Sequence, residues 1–537
     1  MSDVLARDFL EEVERELKPL AKAVNLAHWD ASTTGTAEAL ERATAAETAI
    51  RKFLSSTTRY DRIVEFLESE EFRDPVLHRQ LELLALDYRP NLLSEEVIDD
   101  LVRRSNEIQS EFYTFRSKLD DVEVTNNQIL DILRSERDGQ RRMAAWEASK
   151  QIAPRVADRL IELVCHRNEA ARSLGFSDFY TMHLELQEID QDELLQVFNT
   201  LKRQTDGPFR QAKADVDARL AVRFGIAPDE LRPWHYEDPF FQEPPLAEEL
   251  GLGELFRGRD PVEIAAWFYD GVGLPIRDVL ARSDLYERPG KDQHAYCTDI
   301  DREGDVRILC NVKQDDRWMG VMLHELGHAA YDKFIPDSLP WTLRQPAHIA
   351  TTEAIAMFMD RLVYDIDWLE ASLGPIDDRE DMGRRARAAL RFEMLLTARW
   401  VIVMTYFERE LYSNPNRTDL NTLWWDLVEE LQLLQRPEGR DEPDWAAKIH
   451  LTVAPVYYHN YLLGELIASQ LASALHNALA SGTTPRGYVG QDRLGGFLRD
   501  CVFASGARLH WQDLLADATG SRLTPDPFVK EFVATQA

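Results

Sequence analysis

The chain has 537 residues, of which 44% are hydrophobic and 29% charged, so it is long enough to bury a large core. This composition excludes collagen-like, low-complexity and broadly disordered proteins. The formal net charge is −32, and a surface this negative repels phosphate backbones and anionic lipids, so we expect neither nucleic acid nor a membrane as a partner.

The number and spacing of the cysteines indicate whether the protein belongs to an oxidising or a reducing compartment. They stand at positions 165, 297, 310 and 501 and form no CxxC pair, unlike the dense disulfide frameworks of small secreted domains. The N-terminal segment has an acidic amphipathic pattern, without the basic and apolar regions of a signal peptide. No apolar run approaches the length of a membrane-spanning helix. We therefore expect a reducing compartment and a cytoplasmic protein.

Helical periodicity dominates the chain. Apolar residues recur at three- and four-residue steps in 9–24, 95–119 and 141–176. The Pro- and aromatic-rich segment 230–250 cannot continue a helix and is predicted as an ordered loop. Residues 305–312 have a strand pattern, with 294–300 as the candidate partner strand. These patterns predict a mainly α fold with a very small β element.

The composition of the chain does not mark domain boundaries. No glycine- or serine-rich linker interrupts the chain, so one continuous helical body is expected. We predict that residues 1–100 form an N-terminal helical cap and that 101–537 form the remaining helical body.

The strongest chemical signal is an HExxH motif formed by His324, Glu325 and His328. Residues four apart share one face of a helix, so both imidazoles can reach one Zn²⁺ while Glu325 stands beside its open position. The alternative is a buried helix whose histidines form only local hydrogen bonds.

A catalytic zinc usually has three protein ligands. The segment after Pro346 begins a second helix, with Thr351 or Thr352 as its N-cap and Glu353 in its first turn. Two antiparallel helices joined by this loop would bring Glu353 opposite the imidazoles and leave one position for water. Alternatively, Glu353 only complements the helix dipole.

A third cluster of polar side chains precedes an apolar helix within residues 445–471. Cationic and phenolic groups of this kind can hold a substrate carboxylate and stabilise a tetrahedral oxyanion. Aromatic packing at the start of an amphipathic helix is the alternative. The cluster contains Lys448, His450, Tyr457, Tyr458, His459 and Tyr461.

With these three segments in order, the chain resembles the gluzincin zinc peptidases, and most closely the angiotensin-converting-enzyme-like dipeptidyl carboxypeptidases. The similarity spans roughly residues 23–475 and includes HAYCTDI, LHELGHAAYDKF, LPWTLR, LWWDLVEELQ and AKIH. Thimet-type oligopeptidases share the zinc helix and a similar tyrosine-rich segment. The resemblance implies a two-lobed, mainly helical zincin-like fold with a deep central cleft, in which 101–537 is the catalytic body.

The resemblance also implies residue roles. His324, His328 and Glu353 would bind one Zn²⁺ per chain, and Glu325 would be the general base. Tyr461 would donate to the oxyanion, and His450 would hydrogen-bond the substrate backbone. The C-terminal carboxylate of the substrate would be held by Lys448 and Tyr458, and its backbone would pair with His294 and Ala295.

Several positions depart from the pattern of this family. The glutamine of its carboxylate pocket should fall within 234–236, where Trp-His-Tyr stands. Asn460 replaces the arginine of a chloride site, so we do not expect activation by chloride. Met357 replaces an aspartate that orients a ligand, so another group, with Asp360 as a candidate, must do so. The segment between His450 and Tyr461 is one residue longer than in the pattern of this family. Either Tyr457 or Tyr458 could therefore be the tyrosine that contacts substrate.

The sequence thus predicts a zinc-dependent peptidase whose partners are short oligopeptides. Lys448 and Tyr458 favour release of C-terminal dipeptides, whereas the altered 234–236 corner favours internal cleavage of the thimet type. A catalytically silent zinc-binding scaffold is a third alternative, although Glu325 and Tyr461 are both present.

Overall fold

A computed structural model of the chain describes residues 2–69, 73–245, 250–479 and 486–533. Helices account for 71% of the protein, and the strands within the described residues form two small antiparallel hairpins. The prediction of a mainly α fold with a very small β element is therefore confirmed.

Among the described residues, the first thirteen α-helices come before residue 283. They are α1 (Ser2–Thr34), α2 (Ala37–Leu54), α3 (Thr57–Leu67), α4 (Pro75–Tyr88), α5 (Glu95–Thr114), α6 (Asn126–Ser135), α7 (Gly139–Lys150), α8 (Ala153–Ser173), α9 (Phe179–Leu186), α10 (Gln191–Phe224), α11 (Leu252–Phe256), α12 (Pro261–Gly271) and α13 (Arg277–Arg282).

The helices in the second half begin with the one that carries HExxH. They are α14 (Asp316–Phe334), α15 (Ile349–Asp360), α16 (Ile366–Leu373), α17 (Arg379–Ser413), α18 (Leu420–Gln432), α19 (His450–Val453), α20 (His459–Leu479), α21 (Asp492–Cys501), α22 (Trp511–Thr519) and α23 (Asp526–Phe532).

The first hairpin corrects the helix predicted over 95–119. Helix α5 ends at Thr114, and the chain continues as β1 (Ser117–Leu119), paired with β2 (Val122–Val124). The turn residues Asp120 and Asp121 have φ of 52° and 64°. Two consecutive residues with positive φ form the turn that matches the twist of a hairpin, and aspartate tolerates that conformation better than most residues.

The second hairpin confirms the predicted strand pair. β3 (Tyr296–Asp299) and β4 (Val306–Leu309) are antiparallel, with Tyr296 opposite Leu309 and Asp299 opposite Val306. β4 is almost entirely buried, and Ile300 and Leu309 form a small core with Trp29 of α1. This packing holds the hairpin against the N-terminal helix.

The chain divides into two compact units, each discontinuous in sequence. Unit 1 comprises Met1–Leu92, Gly251–Arg387 and Leu463–Pro527, and unit 2 comprises Leu93–Leu250, Ala388–Leu462 and Phe528–Ala537. The cap over 1–100, the body over 101–537 and the central cleft stay predictions.

Each unit has its own core. In unit 1, α14 and α15 pack along each other, and α14 also packs on α12, β3 and β4. In unit 2, α5 packs on α8, and Trp146 lies within 6.2 Å of both Trp234 and Trp425. Within the predicted loop 230–250, Pro233–His235 forms one 3-10 turn, and residues 246–249 lie outside the described residues.

None of the helices in the described ranges combines the length and the apolar character that crossing a membrane requires.

Candidate active site

The HExxH motif lies in the middle of α14. The carboxylate of Asp315 caps this helix by accepting a 2.8 Å hydrogen bond from the backbone N–H of Trp318. The apolar residues around the motif are fully buried and hold the helix in unit 1. They are Met322, Leu323, Leu326, Ala329 and Ala330.

Gly327, inside the motif, lets α14 approach α15 closely. A Cβ atom at this position would lie 2.7 Å from Ala356 Cα and 3.0 Å from Ala356 N. Gly464 of α20 does the same from another side, because its Cβ would lie 3.0 Å from Glu353 Cβ and 2.8 Å from Met357 Sδ. Two glycines thus bring neighbouring helices close to the helix that carries Glu353.

Helix α15 begins earlier than predicted. Its N-cap is His348, whose Nδ1 accepts from the backbone N–H of Ala350 at 2.9 Å, rather than Thr351 or Thr352. Glu353 therefore lies beyond the first turn and is 8% exposed, so a helix dipole alone does not explain its burial. A histidine ring can accept at an N-cap, although Ser, Thr, Asp and Asn are the usual residues.

The two imidazoles and Glu353 converge in unit 1. Glu353 Oε2 lies 3.6 Å from His324 Nε2 and 3.8 Å from His328 Nε2. One ligand atom from each of the three residues lies within 4.8 Å of the others. Atoms bound to a tetrahedral zinc at its usual ligand distances are about 3.4 Å apart. The spacing therefore suits a zinc ion held by His324, His328 and Glu353.

The other imidazole nitrogens already have partners. His324 Nδ1 lies 2.9 Å from Asp360 Oδ2, and His328 Nδ1 lies 2.7 Å from Thr352 Oγ1. Such contacts fix the ring orientation and direct the Nε2 atoms toward the metal position. Asp360, the candidate substitute for the aspartate missing at Met357, thus contacts a predicted ligand, whereas the contact of Thr352 was not predicted.

The electrostatics around the motif favour a cation. Burial lowers the pKa of His324, but the Asp360 hydrogen bond and the negative charges of Asp360, Glu325 and Glu353 outweigh it and raise that pKa to about 9. Burial holds the pKa of His328 well below its usual range. A divalent cation would have to displace the proton from His324, so metal binding is linked to pH.

Glu325 is suited to proton transfer. Burial raises the pKa of its carboxyl to about 7, although the neighbouring charge of His324 opposes the shift. It is 7% exposed and lies next to His324 in the chain. A carboxylate with a pKa near neutrality can both accept and return a proton.

His294 and Ala295 lie just before β3 rather than on it. The side chain of His294 is 94% exposed, and its ring nitrogen lies 3.2 Å from Asp292 Oδ1. On β3 itself, Cys297 Sγ lies 3.9 Å from Asp332 Oδ2. Asp332 stands one helical turn after His328, so it lies on the same face of α14.

Unit 2 contains the carboxylate-binding residues implied by the resemblance. Lys448 Nζ donates a 2.6 Å hydrogen bond to Gln242 Oε1 and lies 5.7 Å from the centroid of the Tyr458 ring. The glutamine beside Lys448 is thus Gln242, which follows the 3-10 turn Pro233–His235 and lies outside the 234–236 corner. That Gln242 takes the role that the resemblance gives to a glutamine at 234–236 is a prediction.

Burial also changes the ionisation of this cluster. It lowers the pKa of Lys448 to about 8, against the raising effect of Asp238 and Glu243. It lowers the pKa of His450 to about 4, with a further contribution from the charge of Lys448. His450 is therefore neutral at physiological pH and can donate or accept a hydrogen bond without carrying charge.

The aromatic rings of the third cluster are in mutual contact. The Tyr458 ring lies 5.1 Å from the His450 ring and 5.6 Å from the Tyr461 ring, and Tyr457 also contacts Tyr461 at 5.3 Å. Tyr458 is 7% exposed and packs at a right angle on Trp400. The Tyr458 ring thus lies near both His450 and Lys448.

Asn460 has a protein partner where the family has an arginine. Its side-chain amide donates a 2.7 Å hydrogen bond to Gln187 Oε1. An amide pair carries no net charge, so this position offers no cation to an anion such as chloride.

Comparison with known families gives two matches that do not overlap. The family described as angiotensin-converting enzyme matches residues 2–231, and peptidase family M3 matches residues 280–534. Both families consist of zinc-dependent metallopeptidases. The second match contains every residue of the HExxH motif, Glu353 and the third cluster.

Proposed function

We propose that this chain, a metallopeptidase that is similar to both zinc-dependent families, releases dipeptides from the C-termini of short peptides. Hydrolysis of peptides follows from the two matches themselves. The release of C-terminal dipeptides rests on one observation, the hydrogen bond between Lys448 Nζ and Gln242 Oε1 beside Tyr458.

This group of side chains suits a terminal carboxylate. The Lys448 ammonium has further protons to donate, and the Gln242 amide nitrogen and Tyr458 hydroxyl add neutral donors. Because burial lowers the pKa of Lys448 to about 8, an arriving carboxylate would supply the negative charge that favours its protonated form. An internal peptide bond lacks that charge.

The proposed reaction uses the residues predicted from the resemblance. When bound by His324, His328 and Glu353, zinc would lower the pKa of water and polarise the scissile carbonyl. Glu325 takes a proton from the attacking water and passes it to the leaving amine. Tyr461 donates to the developing oxyanion, and neutral His450 hydrogen-bonds the substrate backbone.

The substrate backbone is proposed to pair with His294 and Ala295. The sheet of β3 and β4 has no third strand among the described residues, so an extended peptide would be the strand that pairs with the second edge of β3. A cytoplasmic location also stays a prediction.

Internal cleavage of the thimet type is the second candidate. It is favoured by the match to peptidase family M3 over residues 280–534, which includes the metal-binding motif. The two candidates differ in whether the substrate needs a free C-terminal carboxylate.

The deciding experiment compares one peptide series with free and amidated C-termini. We expect amidation to lower kcat/KM at least tenfold, which corresponds to about 1.4 kcal/mol. In Lys448→Met and Gln242→Ala, activity on the free peptide should fall toward that on the amide. The matched control is Lys118→Met, because Lys118 is an exposed lysine of unit 2. Equal cleavage of both peptides, with internal fragments in mass spectra, would favour internal cleavage.

Two further variants test the chemistry. Glu325→Gln should bind zinc but lose hydrolysis of a quenched-fluorescent peptide, and full activity would exclude Glu325 as the base. Glu353→Ala should lose zinc during dialysis, as measured by metal analysis. Zinc retention equal to that of the parent would remove Glu353 from the ligand set.

A further inference from the structure

A cavity of about 240 Å³ lies in unit 1, between the N-terminal helices and the turn of the β3–β4 hairpin. Its wall is largely aliphatic, with side chains from α1, α2 and α4. It is smaller than the pockets of about 300–1,000 Å³ that hold drug-sized ligands, so it suits a small molecule. The aliphatic residues include Leu17, Val24, Ile50, Leu54 and Leu83.

Two opposite charges also line this cavity, Asp87 of α4 and Arg302 of the hairpin turn. Arg302 forms no ion pair among the described residues; its guanidinium lies 4.6 Å from the Trp341 ring centroid, and Nη1 lies 3.5 Å from the Thr342 carbonyl oxygen. Within the same described ranges, the Asp87 carboxylate has no hydrogen-bond or ion-pair partner. The carboxylate and the guanidinium in this cavity therefore act on each other through their charges, without a hydrogen bond or a close ion pair among the described residues.

The third charged side chain that lines the cavity, Asp301, already has an ion-pair partner and a hydrogen-bond donor. Asp301 lies 2.9 Å from Lys22 Nζ and accepts from the backbone N–H of Glu303 at 2.9 Å. Asp87 and Arg302 are thus the two groups left to interact with a ligand. Partial loss of water around the carboxylate raises the pKa of Asp87 to about 6 against the lowering effect of Arg302, although the residue as a whole is exposed. The carboxylate is ionised at pH 7.5.

The backbone holds Arg302 in an uncommon conformation. Its φ is 57°, which an arginine rarely adopts, and its N–H donates a 2.8 Å hydrogen bond to Asp299 Oδ1. Residues kept in such a conformation cluster at sites that bind ligands. The guanidinium lies over the Trp341 ring, and in the part of the chain that the structure describes only the Thr342 carbonyl accepts a hydrogen bond from it.

We propose that this cavity binds an α-amino acid with an aliphatic side chain, with the ligand ammonium at Asp87 and the ligand carboxylate at Arg302. A simple cation would pair with Asp87 but meet the repulsion of Arg302, and a simple anion would have the opposite problem. A zwitterion satisfies both groups, and its side chain would lie against the aliphatic wall. A free amino acid and a dipeptide share this chemistry.

The proposal is tested by isothermal titration calorimetry on the intact zinc-loaded protein at pH 7.5, with L-leucine up to about 10 mM, a range that detects weak binding. We expect one binding event. L-Leucinamide lacks the carboxylate and N-acetyl-L-leucine lacks the ammonium, so each should bind at least tenfold more weakly. L-Leucyl-L-leucine tests the second source: tighter binding than leucine would identify a dipeptide as the ligand.

Variants assign the binding to this cavity. Asp87→Asn and Arg302→Gln should each weaken the ligand at least tenfold, and Glu65→Gln, an exposed carboxylate on α3, should not. If Arg302→Gln fails to fold, Arg302→Lys keeps the charge and should still weaken carboxylate binding. No heat with either amino acid or dipeptide, equal binding of leucinamide, or unchanged affinity in both variants would overturn the proposal. Because heat rather than hydrolysis is measured, failure of the proposed peptidase mechanism would not affect the result.

Discussion

The carboxyl group of Glu408, on α17, accepts a 2.7 Å hydrogen bond from the backbone N–H of Val456. Val456 has φ of 53°, which is rare for a β-branched residue. Glu408 is 2% exposed, so water cannot easily replace the bond. Both residues belong to unit 2, and Val456 directly precedes Tyr457 and Tyr458. The bond therefore fixes the backbone from which the tyrosines extend.

Replacing Glu408 should disturb these tyrosines. Glu408→Leu leaves the Val456 N–H buried without an acceptor, which costs about 1–3 kcal/mol of stability. We expect a lower melting temperature and a tenfold or larger fall in kcat/KM on a free-carboxylate peptide. Glu408→Gln retains an acceptor oxygen and should behave like the parent.

A double-mutant cycle with Val456→Gly isolates the positioning effect. Glycine adopts positive φ without strain, so the loss from Glu408→Leu should be smaller in the Val456→Gly background. If the activity losses were simply additive, the bond would have no role in holding this backbone. Melting temperatures of all four proteins separate stability from activity.

The stability of the protein should also depend on pH through Glu408. Burial raises the pKa of Glu408 from 4.5 to about 8, only partly offset by the Val456 bond and the charge of Arg167. The folded state therefore keeps a proton that the unfolded state releases above pH 4.5, and this contribution to stability decreases as pH rises from about 4.5 to 8. Urea melts from pH 5 to 9 should show the parent losing stability relative to Glu408→Gln. Parallel curves would contradict the raised pKa.

Adding one methyl group at either helix crossing should damage the metal site. Gly327→Ala places a Cβ 2.7 Å from Ala356 Cα, and Gly464→Ala places one 3.0 Å from Glu353 Cβ. Overpacking of this kind costs about 1–3 kcal/mol, so we expect lower melting temperatures and weaker zinc binding in chelator competition. The backbone contact at Gly327 is the less adaptable of the two.

Gly496→Ala is the matched control for these two variants. It also lies within a helix of unit 1, and its added Cβ would meet no atom within 4 Å. Alanine has the higher helix propensity, so this variant should be neutral or slightly more stable. Equal destabilisation of all three would show that the close approaches are not the cause.

The partners of the imidazoles should determine metal affinity. Asp360→Asn removes the charge beside His324 Nδ1, and Thr352→Val removes the hydroxyl beside His328 Nδ1. Changes to such partners commonly lower metal affinity about 10–100-fold. Chelator competition measures this directly, with the exposed Asp377→Asn as the control. Unchanged affinity in both variants would mean that the ligands are oriented by packing alone.

The parts of the site that follow from helix periodicity could be predicted from sequence. HExxH indicates a shared face because residues four apart align on any helix, and the β3–β4 pair follows from its apolar alternation. The N-cap of α15 could not be predicted in the same way, because His348 is an unusual capping residue and two threonines stand nearby.

Contacts between residues distant in sequence were harder to predict. Gln242 and Lys448 are 206 residues apart in the chain, and the resemblance pointed to 234–236 for the glutamine instead. Glu408 lies within a long amphipathic helix, where nothing local distinguishes it from its neighbours. The adjacent aspartates Asp120 and Asp121 are a local turn signal. It was missed because the helical periodicity of the preceding residues continues up to 119, beyond the end of α5.

Unit 1 is built from three separate stretches of the chain, which affects when its metal site can form during synthesis. The three predicted metal ligands lie within 324–353, yet the helix that packs on Glu353 through Gly464 comes from the last of three separate stretches of chain. Arg361, the neighbour of Asp360, is likewise bound in a buried ion pair with Glu465. During synthesis the ribosome releases His324, His328 and Glu353 long before these C-terminal contacts exist. A nascent chain that ends before residue 463 therefore carries all three predicted ligands and the partners of both imidazoles but lacks the contacts from α20, so we expect it to retain zinc less firmly than the 537-residue chain.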